Sequence, residues 1–334
     1  MDVVHYMRRP RPNMFSIERL YHDVRTSMPK NCAIRVWTCR NFSTGLWPRL
    51  CDTLRAQREQ GDVNHVTGDV HYLALLLDPR KTVLTVHDLV SLHRLKGLRR
   101  WVFWLLWYWA PIRRSRMVVV ISESTRDELL KSVRCDPAKV RVIHNPVSED
   151  FQPNPKPFDV DRPNILLVGT NPNKNIERVA EALAGIPCRV TLIGSPSAPQ
   201  RAAFEFWGID YTVRSGLSRD ALVDQYKAAD LLVFASTYEG FGLPIVEAQA
   251  TGRPVVTSNI LSMPEVAGGA ACLVNPLDPN SIRAGVLRVI TDADYRRRLI
   301  EAGFHNVARF RRDVAAEAYA AVYREITSSL RTKA

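Results

Sequence analysis

Ten short apolar runs, rich in β-branched residues, punctuate the chain and restrict its fold more than any other feature. In the first half they are IRVWTCR (34–40), VNHV (63–66), TVLTV (82–86), MVVVIS (117–122) and VRVIHN (140–145). In the second half they are NILLVGT (164–170), RVTLIG (189–194), DLLVFAS (230–236), PVVTS (254–258) and ACLV (271–274). Segments of helical length separate them, such as 123–134, 175–184, 218–228 and 244–251. A strand that is apolar throughout is buried on both faces, as in a parallel sheet covered by helices. The predicted fold class is therefore α/β, with two Rossmann-like, doubly wound domains facing a central cleft.

The division follows from FQPNPKPFDVDRPN (151–164), which is Pro-rich and polar and has neither helical nor strand periodicity. It reads as a linker, with five candidate strands on each side. The expected domains are 1–153 and 154–312, followed by a last helix, 313–334, whose Ala and aromatic positions suit packing back toward the first domain. In open α/β sheets ligands bind outside the carboxyl ends of the strands. His87, Asn145, Thr170 and Glu239 all follow candidate strands at or near those ends.

Charge and cysteine content narrow the function classes. Residues 1–155 hold 25 Lys/Arg against 15 Asp/Glu, so the net positive charge sits mainly in the first half and implies an anionic partner. The six cysteines are scattered without a CxxC pair, which argues against a zinc or redox motif. The start, MDVVHYMRRPRP, lacks the apolar core of a signal peptide, and no apolar run reaches the ~18–20 residues of a membrane span. The expected location is cytoplasmic, peripheral on the cytoplasmic face of a membrane.

Chemistry concentrates in EGFGLPIVE (239–247). Glu239 and Glu247 stand eight residues apart, with Gly240, Gly242 and Pro244 between them. A strand, a Gly-containing turn and a helix N-terminus form an anion site, because unpaired N–H groups and the helix dipole both favour phosphate. Glu239, at the head of the turn, can accept hydrogen bonds from a polar substrate. Glu247, two turns into the helix, would reach a ribose. Diphosphate, ribose and a hydroxyl-rich group describe a nucleotide sugar. In GTNPNKNIERVAEAL (169–183), Gly169 allows a tight turn, Pro172 stiffens it and Lys174 projects near a helix start. An ammonium there can neutralise a diphosphate leaving group. Asp159 and Asp161 form a D-x-D in the linker and read as a solvated loop. No metal and no cofactor besides the substrate nucleotide is expected.

These pieces resemble the retaining GT-B glycosyltransferases of family 4. The matching stretches are HDL (87–89), VISEST (120–125), VIHNPV (142–147), VGTNPNKN (168–175), ADLLVFASTYEGFGLPIVEAQATGRPVV (229–256) and SMPEVAGGAACLV (262–274). The resemblance implies that Glu247 binds ribose hydroxyls, Glu239 faces the transferred sugar and Lys174 holds phosphate. It also implies that backbone N–H groups of Phe241, Gly242 and Leu243 meet phosphate or sugar oxygens. Gly169 and Thr170 would lie against the donor, Val213, Arg214 and Ser215 would form the base-binding edge, and His87 would contact the sugar beside the reacting bond. Many relatives carry an Arg directly after the Gly of the phosphate loop or just before its Lys; here Thr170 and Asn173 stand there. A second phosphate-binding cation is left unidentified.

The resemblance places the acceptor on the first domain, a saccharide carried on a lipid, with Asn13, Ser16 and Asp88 as its contacts. Arg8, Arg9 and Arg11 suit a phosphate-bearing acceptor, or form a solvated basic turn. Four of the seven tryptophans (Trp101, Trp104, Trp107, Trp109) fall in LKGLRRWVFWLLWYWAPIRRSR (95–116), between Arg99, Arg100, Arg113, Arg114 and Arg116. Trp at an interface buries its ring and keeps its N–H wet. Contact with an anionic membrane through Trp101, Trp104, Trp107, Arg113 and Arg114, with part of the same helix buried, is the favoured reading, and a buried core helix is the alternative. A non-enzymatic nucleic-acid-binding protein is a rival from another class, supported by the basic half. The Trp cluster opposes it, being one apolar helix rather than aromatics spread along a basic groove, so no nucleic-acid partner is expected. An epimerase is a third possibility.

Overall fold

A computed structural model describes residues 1–10 and 16–331, with the side chains of Ser16 and Arg331 excluded. It divides into two compact units: Met1–Pro146 with the chain from Arg312 onward, and Val147–Arg311. Each unit is built on one six-stranded parallel sheet, the arrangement the apolar runs predict.

In the first unit the strands are β1 (Asp2–Met7), β2 (Ala33–Thr38), β3 (Val63–Val66), β4 (Thr82–Val86), β5 (Met117–Val120) and β6 (Val140–Val142), in the order β2-β1-β3-β4-β5-β6. The helices are α1 (Ser16–Thr26), α2 (Leu46–Ala56), α3 (Val90–Arg94), α4 (Gly97–Trp104), α5 (Ala110–Arg113) and α6 (Glu123–Ser132). β1 is absent from the ten apolar runs because three of its six residues, Asp2, His5 and Tyr6, are polar or aromatic-polar, yet His5 and Tyr6 are fully buried.

The second unit holds β7 (Asn164–Val168), β8 (Arg189–Ile193), β9 (Tyr211–Arg214), β10 (Leu231–Phe234), β11 (Val255–Ser258) and β12 (Cys272–Val274), in the order β12-β11-β10-β7-β8-β9. β9 is the other unanticipated strand. It lies at the sheet edge and alternates half-buried with exposed residues, so it has no continuous apolar run. The helices are α7 (Ile176–Leu183), α8 (Ala198–Phe206), α9 (Arg219–Ala228), α10 (Leu243–Thr251), α11 (Met263–Ala267), α12 (Pro279–Thr291) and α13 (Ala293–Val307). The Pro-rich segment 151–164 is irregular up to β7 and is tied to this unit: Asn154 N donates to Thr251 O at 3.2 Å, and Lys156 Nζ pairs with Asp230 at 2.8 Å. Asp159 makes a 3.4 Å ion pair with Arg189, and Asp161 is exposed.

The chain then re-enters the first unit as α14 (Arg312–Arg331), whose Ala315, Ala316, Tyr319, Tyr323 and Ile326 pack on Val3, Tyr21, Val63 and Val83. Tyr323 also lies 3.0 Å from His5 Nε2 and 2.6 Å from His65 Nδ1, and the other nitrogen of His65 meets Thr85 Oγ1 at 2.7 Å. Among the described residues no helix is long and apolar enough to cross a membrane. All six cysteines are unbridged.

Candidate functional site

The strand order of the second unit sets where its site lies. From β7 the chain proceeds outward through β8 and β9, then returns to β10 on the other side of β7 and continues through β11 and β12. The order reverses between β7 and β10, and the loops leaving two such strands part to open a crevice. Those two loops carry Lys174 and Glu239.

β7 ends at Gly169, which has φ +92°, and a Cβ there would lie 2.7 Å from Lys174 Cε. Glycine thus both permits the turn and makes room for the lysine stem. Pro172–Lys174 form a short turn, and Asn175, in the left-handed region at φ 60°, starts α7. Asn175 is buried and its amide donates to Ala235 O at 3.0 Å and Pro276 O at 2.6 Å, fastening the loop to the end of β10. Thr170, at the position where many relatives have Arg, contributes its carbonyl to Gln200 Nε2 at 3.0 Å.

Lys174 Nζ donates to Glu239 Oε1 at 2.6 Å, with both side chains 15% exposed, and it also lies 4.3 Å from the Phe234 ring centroid. Asn173 Nδ2 donates to the Tyr238 carbonyl at 2.8 Å and to Glu239 Oε1 at 3.2 Å. Ser262 Oγ bonds the carbonyls of Glu239 and Phe241, each at 2.9 Å, which fixes the turn from beneath. The Phe241 side chain is buried against Phe310. Gly242, at φ +108°, precedes α10, and Leu243 and Pro244 open it. Within this first turn Pro244 has no N–H and Ile245 N donates to the Gly242 carbonyl at 3.0 Å, so it is the Leu243 N–H, with the helix dipole, that this end can offer an anion.

Glu247 is the fifth residue of α10, one turn in rather than two. Its Oε2 accepts the Tyr226 hydroxyl at 2.6 Å, and its Oε1 lies 3.8 Å from Arg219 Nη1. Burial pushes the Glu247 carboxyl above the usual carboxylate range, against the opposing pull of the Tyr226 hydrogen bond and the charges of Arg219 and Lys174. Arg219 is itself held by Asp150 Oδ2 at 2.9 Å and stacks 4.4 Å over Phe151. Tyr226, Arg219, Asp150 and Asn173 are the polar neighbours that reading the sequence missed. Arg219 directly follows the helix-capping Ser218, but Tyr226 sits in a helix with nothing local to mark it. Arg219 adds a second cation to the site, beside Glu247. Val213 and Arg214 lie on the edge strand β9 and Ser215 just after it, with Arg214 and Ser215 exposed and Val213 half-buried.

In the first unit His87 follows β4 and is buried, with Nε2 2.9 Å from the Thr67 carbonyl. A carbonyl only accepts, so Nε2 carries the proton and a neutral ring keeps Nδ1 as acceptor. Asp88 is used locally: its Oδ1 accepts from Val90 N at 3.0 Å at the start of α3, and burial raises its pKa. Asn13 and Arg11 lie outside the described residues, and Ser16 opens α1 with its side chain also outside them. Arg8 is buried in a bidentate pair with Glu18, at 2.8 and 3.2 Å, so it is already neutralised. Arg9 bonds the Arg40 carbonyl and stacks on Phe42.

The tryptophan segment is partly buried and partly exposed, as expected, but the buried part includes Trp107, which was expected to face the membrane. α4 continues into a π-helical turn over Leu105–Trp109, within which Trp107 and Tyr108 are buried. Trp101 is 55% exposed, but Trp107 is only 8% exposed and belongs to the core, stacked on Phe103 at 5.2 Å. Trp107 therefore cannot be a membrane contact: its ring fills the space between Phe103, Tyr72 and His71. Trp104 is half-buried and donates its indole N–H to Ser132 O at 2.9 Å. Arg113 and Arg114 are exposed.

Two parallel-sheet units, one with an acid–ammonium pair at its switch point, define a GT-B glycosyltransferase scaffold. A sequence model of "Glycosyl transferases group 1" matches residues 162–292, and one of "Glycosyltransferase Family 4" matches residues 18–151. The chain belongs to this glycosyltransferase family. It is 29% identical over 276 residues to the serotype-specific mannosyltransferase WbdA of Escherichia coli, covering 73% of this chain and 33% of that protein. It is 25% identical over 245 residues to the O-antigen chain mannosyltransferase RfbU of Salmonella typhimurium, covering 71% of this chain and 67% of that one. The chain thus spans about a third of the length of WbdA. In fold it is similar to Anabaena HepE, solved with UDP and glucose, at a TM-score of 0.78 and 16% identity over 97% of this chain and 100% of that one.

Proposed function

We propose that the protein transfers a hexosyl group, mannosyl first among the candidates, from a nucleoside-diphosphate sugar to a saccharide acceptor, with retention at the anomeric carbon. The observation that carries this reading is the meeting of Lys174 and Glu239 at 2.6 Å on the β7 and β10 loops, with Glu247 close enough to feel the lysine charge. The ion pair keeps both groups oriented until a donor arrives. Lys174 then turns to the diphosphate, joined by backbone N–H groups of the turn at Gly242 and Leu243, and these stabilise the charge that develops on the leaving group. Glu239 is released to accept hydrogen bonds from sugar hydroxyls. Glu247, positioned by Tyr226 and Arg219, accepts from the ribose, and the β9 edge near Val213, Arg214 and Ser215 meets the base. His87 offers Nδ1 to a sugar hydroxyl. Attack occurs on the face the diphosphate leaves, and the departing phosphate takes the acceptor's proton, so no carboxylate base is required.

Mannosyl transfer rests on the mannosyltransferases among the relatives. Similarity to the O-antigen chain mannosyltransferase RfbU favours an acceptor on a lipid carrier, in cell-surface polysaccharide assembly at the cytoplasmic face of a membrane. The test is thermal stabilisation across GDP-, UDP- and ADP-linked sugars for the wild type, Lys174→Ala and Glu247→Ala, followed by transfer to an oligosaccharide acceptor. One class of donor should stabilise the wild type, both variants should lose most of that shift, and the product should keep the donor's anomeric configuration. Equal shifts in all three proteins would remove the site. An inverted product would remove retention.

A further inference from the structure

The helix α2 is built inside out. Its buried residues are Asp52, Thr53 and Ala56, while Leu46, Trp47, Leu50 and Leu54 face solvent. Leu46, Leu50 and Leu54 recur every four residues and so form one stripe along the helix. Asp52 accounts for the inward face, accepting from the backbone N–H groups of Arg40 at 3.2 Å and Asn41 at 3.1 Å. Among the described residues nothing covers the outward face, where Leu46 is 76% and Trp47 73% exposed.

α4 repeats the pattern. None of its eight residues is buried, and Leu98, at 75% exposure, Trp101 and Val102 are all open to solvent. The two helices line one apolar groove of about 370 Å³, with Leu46 on one side, Leu98 and Val102 on the other, and Trp107 beneath. Apolar residues from two separate stretches of sequence therefore form a continuous patch on one unit. Soluble monomers rarely expose a large patch of this kind without a partner for it.

The surround names the partner. Arg94, Lys96, Arg99 and Arg100 are exposed beside the patch, and the sequence has no Asp or Glu from Leu89 to Ser122. Leu and Trp ringed by cations, with no acid among them, complement the boundary of an anionic bilayer, where apolar side chains enter the acyl region and guanidiniums meet phosphate. We propose that α2 and α4 together form a monotopic docking surface for an anionic lipid bilayer. The proposal deepens the lipid-linked acceptor reading and rests on it for its purpose, while the physical argument stands on the patch. Trp101 and Trp47 lie at headgroup level. Trp107 serves as the rigid floor.

The experiment sediments the full-length protein with vesicles of phosphatidylcholine, with and without phosphatidylglycerol, at low and high salt. Binding should be at least about tenfold tighter to the anionic vesicles, weaken with salt, and shift tryptophan emission to the blue. The triple variant Leu46→Gln, Trp47→Gln, Leu98→Gln changes only exposed side chains and should melt as the wild type does, yet bind anionic vesicles at least about tenfold more weakly. Arg99→Gln with Arg100→Gln should reduce the preference for phosphatidylglycerol. Triple-variant binding equal to wild type overturns the proposal, as does a wild type that binds neither vesicle. A wild-type dimer that the triple variant dissolves also overturns it, since the patch then belongs to a second copy. Stabilisation by nucleotide sugars is measured on the same samples. Vesicle binding without that stabilisation sinks the glycosyl-transfer reading and leaves the surface standing; stabilisation without vesicle binding does the reverse.

Discussion

Around β7 and β8 the core consists of Ile165, Leu167, Val179, Leu183, Val190 and Leu192, an aliphatic layer whose charged groups wait at the strand ends. The comparable layer on β1, β3 and β4 holds His5, His65, Thr85, Tyr21, Tyr319 and Tyr323, all buried, while leucines and tryptophans of α2 and α4 face out. Two units with the same sheet architecture thus distribute polarity in opposite ways. In the second unit, burial holds the fold and the strand-end rim, with Lys174 and Glu239 each 15% exposed, holds the chemistry. In the first, part of the polarity is structural and part of the apolar surface is free for contact. Polar groups belong inside only when paired, and the histidines meet that condition nearly in full: His5 Nδ1 is left without a partner while its Nε2 and both nitrogens of His65 are bonded.

The largest expected effect tests that buried polar layer through acid. Burial pulls His5 from an ordinary 6.5 down to about 3, and His65 is also held well below its usual range. Because these folded-state values are depressed, the unfolded chain binds protons first as pH falls. Stability is therefore full above pH 6.5 and is lost progressively toward pH 3, at up to ~1.4 kcal/mol per pH unit for each histidine. Asp88, raised by burial, acts in the opposite sense near the bottom of that range. Glu247 gives the second unit the opposite sign: its raised value means that acidification toward it favours the fold. Thermal unfolding monitored by hydrogen exchange in each unit should show the first unit softening well before the second. His5→Leu should flatten the first unit's slope, and an unchanged slope would break the contrast.

Next in size is Lys174→Ala. A rim cation is a binding and catalytic group, so transfer should fall by about 10²–10³-fold, or ~3–4 kcal/mol, with donor stabilisation lost. Melting of the free protein should move by less than ~1 kcal/mol, since the 15%-exposed Glu239 left behind can take up water. A large loss of stability would show that the ion pair holds the fold together and would erase the distinction between the two units.

The same contrast explains what could be read from the sequence. Lys174, Glu239 and Glu247 were legible because glycines and prolines pin their loops to strand ends, a local signature. β9 was not, because an edge strand needs only one buried face, and TVR gives no apolar run. β1 was not, because His5 and Tyr6 interrupt its run, and only Tyr323, more than three hundred residues away, makes burying His5 tolerable. α2 could be recognised neither as a site nor as a surface, since an apolar stripe ordinarily marks the face that packs inward. Trp107 and Trp101 lie six residues apart on one helical segment and so point to different faces, and only the packing of distant residues such as Tyr72 and His71 decides which face is core. Information carried by contacts distant in sequence has no local trace.

A smaller effect separates orienting a carboxylate from merely possessing one. Tyr226→Phe keeps the ring and removes the 2.6 Å hydrogen bond to Glu247. Losing a bond that favours the charged carboxylate should raise the Glu247 pKa further and weaken donor binding by ~1 kcal/mol, about fivefold, at neutral pH. Donor affinity measured against pH should fall on acidification in the wild type, and the midpoint should move upward in the variant. A midpoint that stays put would show that Arg219 alone sets the carboxylate.

The smallest expected change is also the most direct probe of the inverted helix. Leu50 is 46% exposed on α2, and Leu50→Gln should alter stability by less than ~0.5 kcal/mol, because little packed contact is lost. Its neighbour Asp52 is buried with its oxygens committed to Arg40, Asn41 and Arg55, so the inward side of the same turn depends on a charge. Urea unfolding of Leu50→Gln decides the matter. A cost of a few kcal/mol would mean that Leu50 packs inward in solution and that α2 is an ordinary amphipathic helix. A null result leaves its leucines available for contact while the first unit keeps its buried apolar clusters on both faces of the sheet.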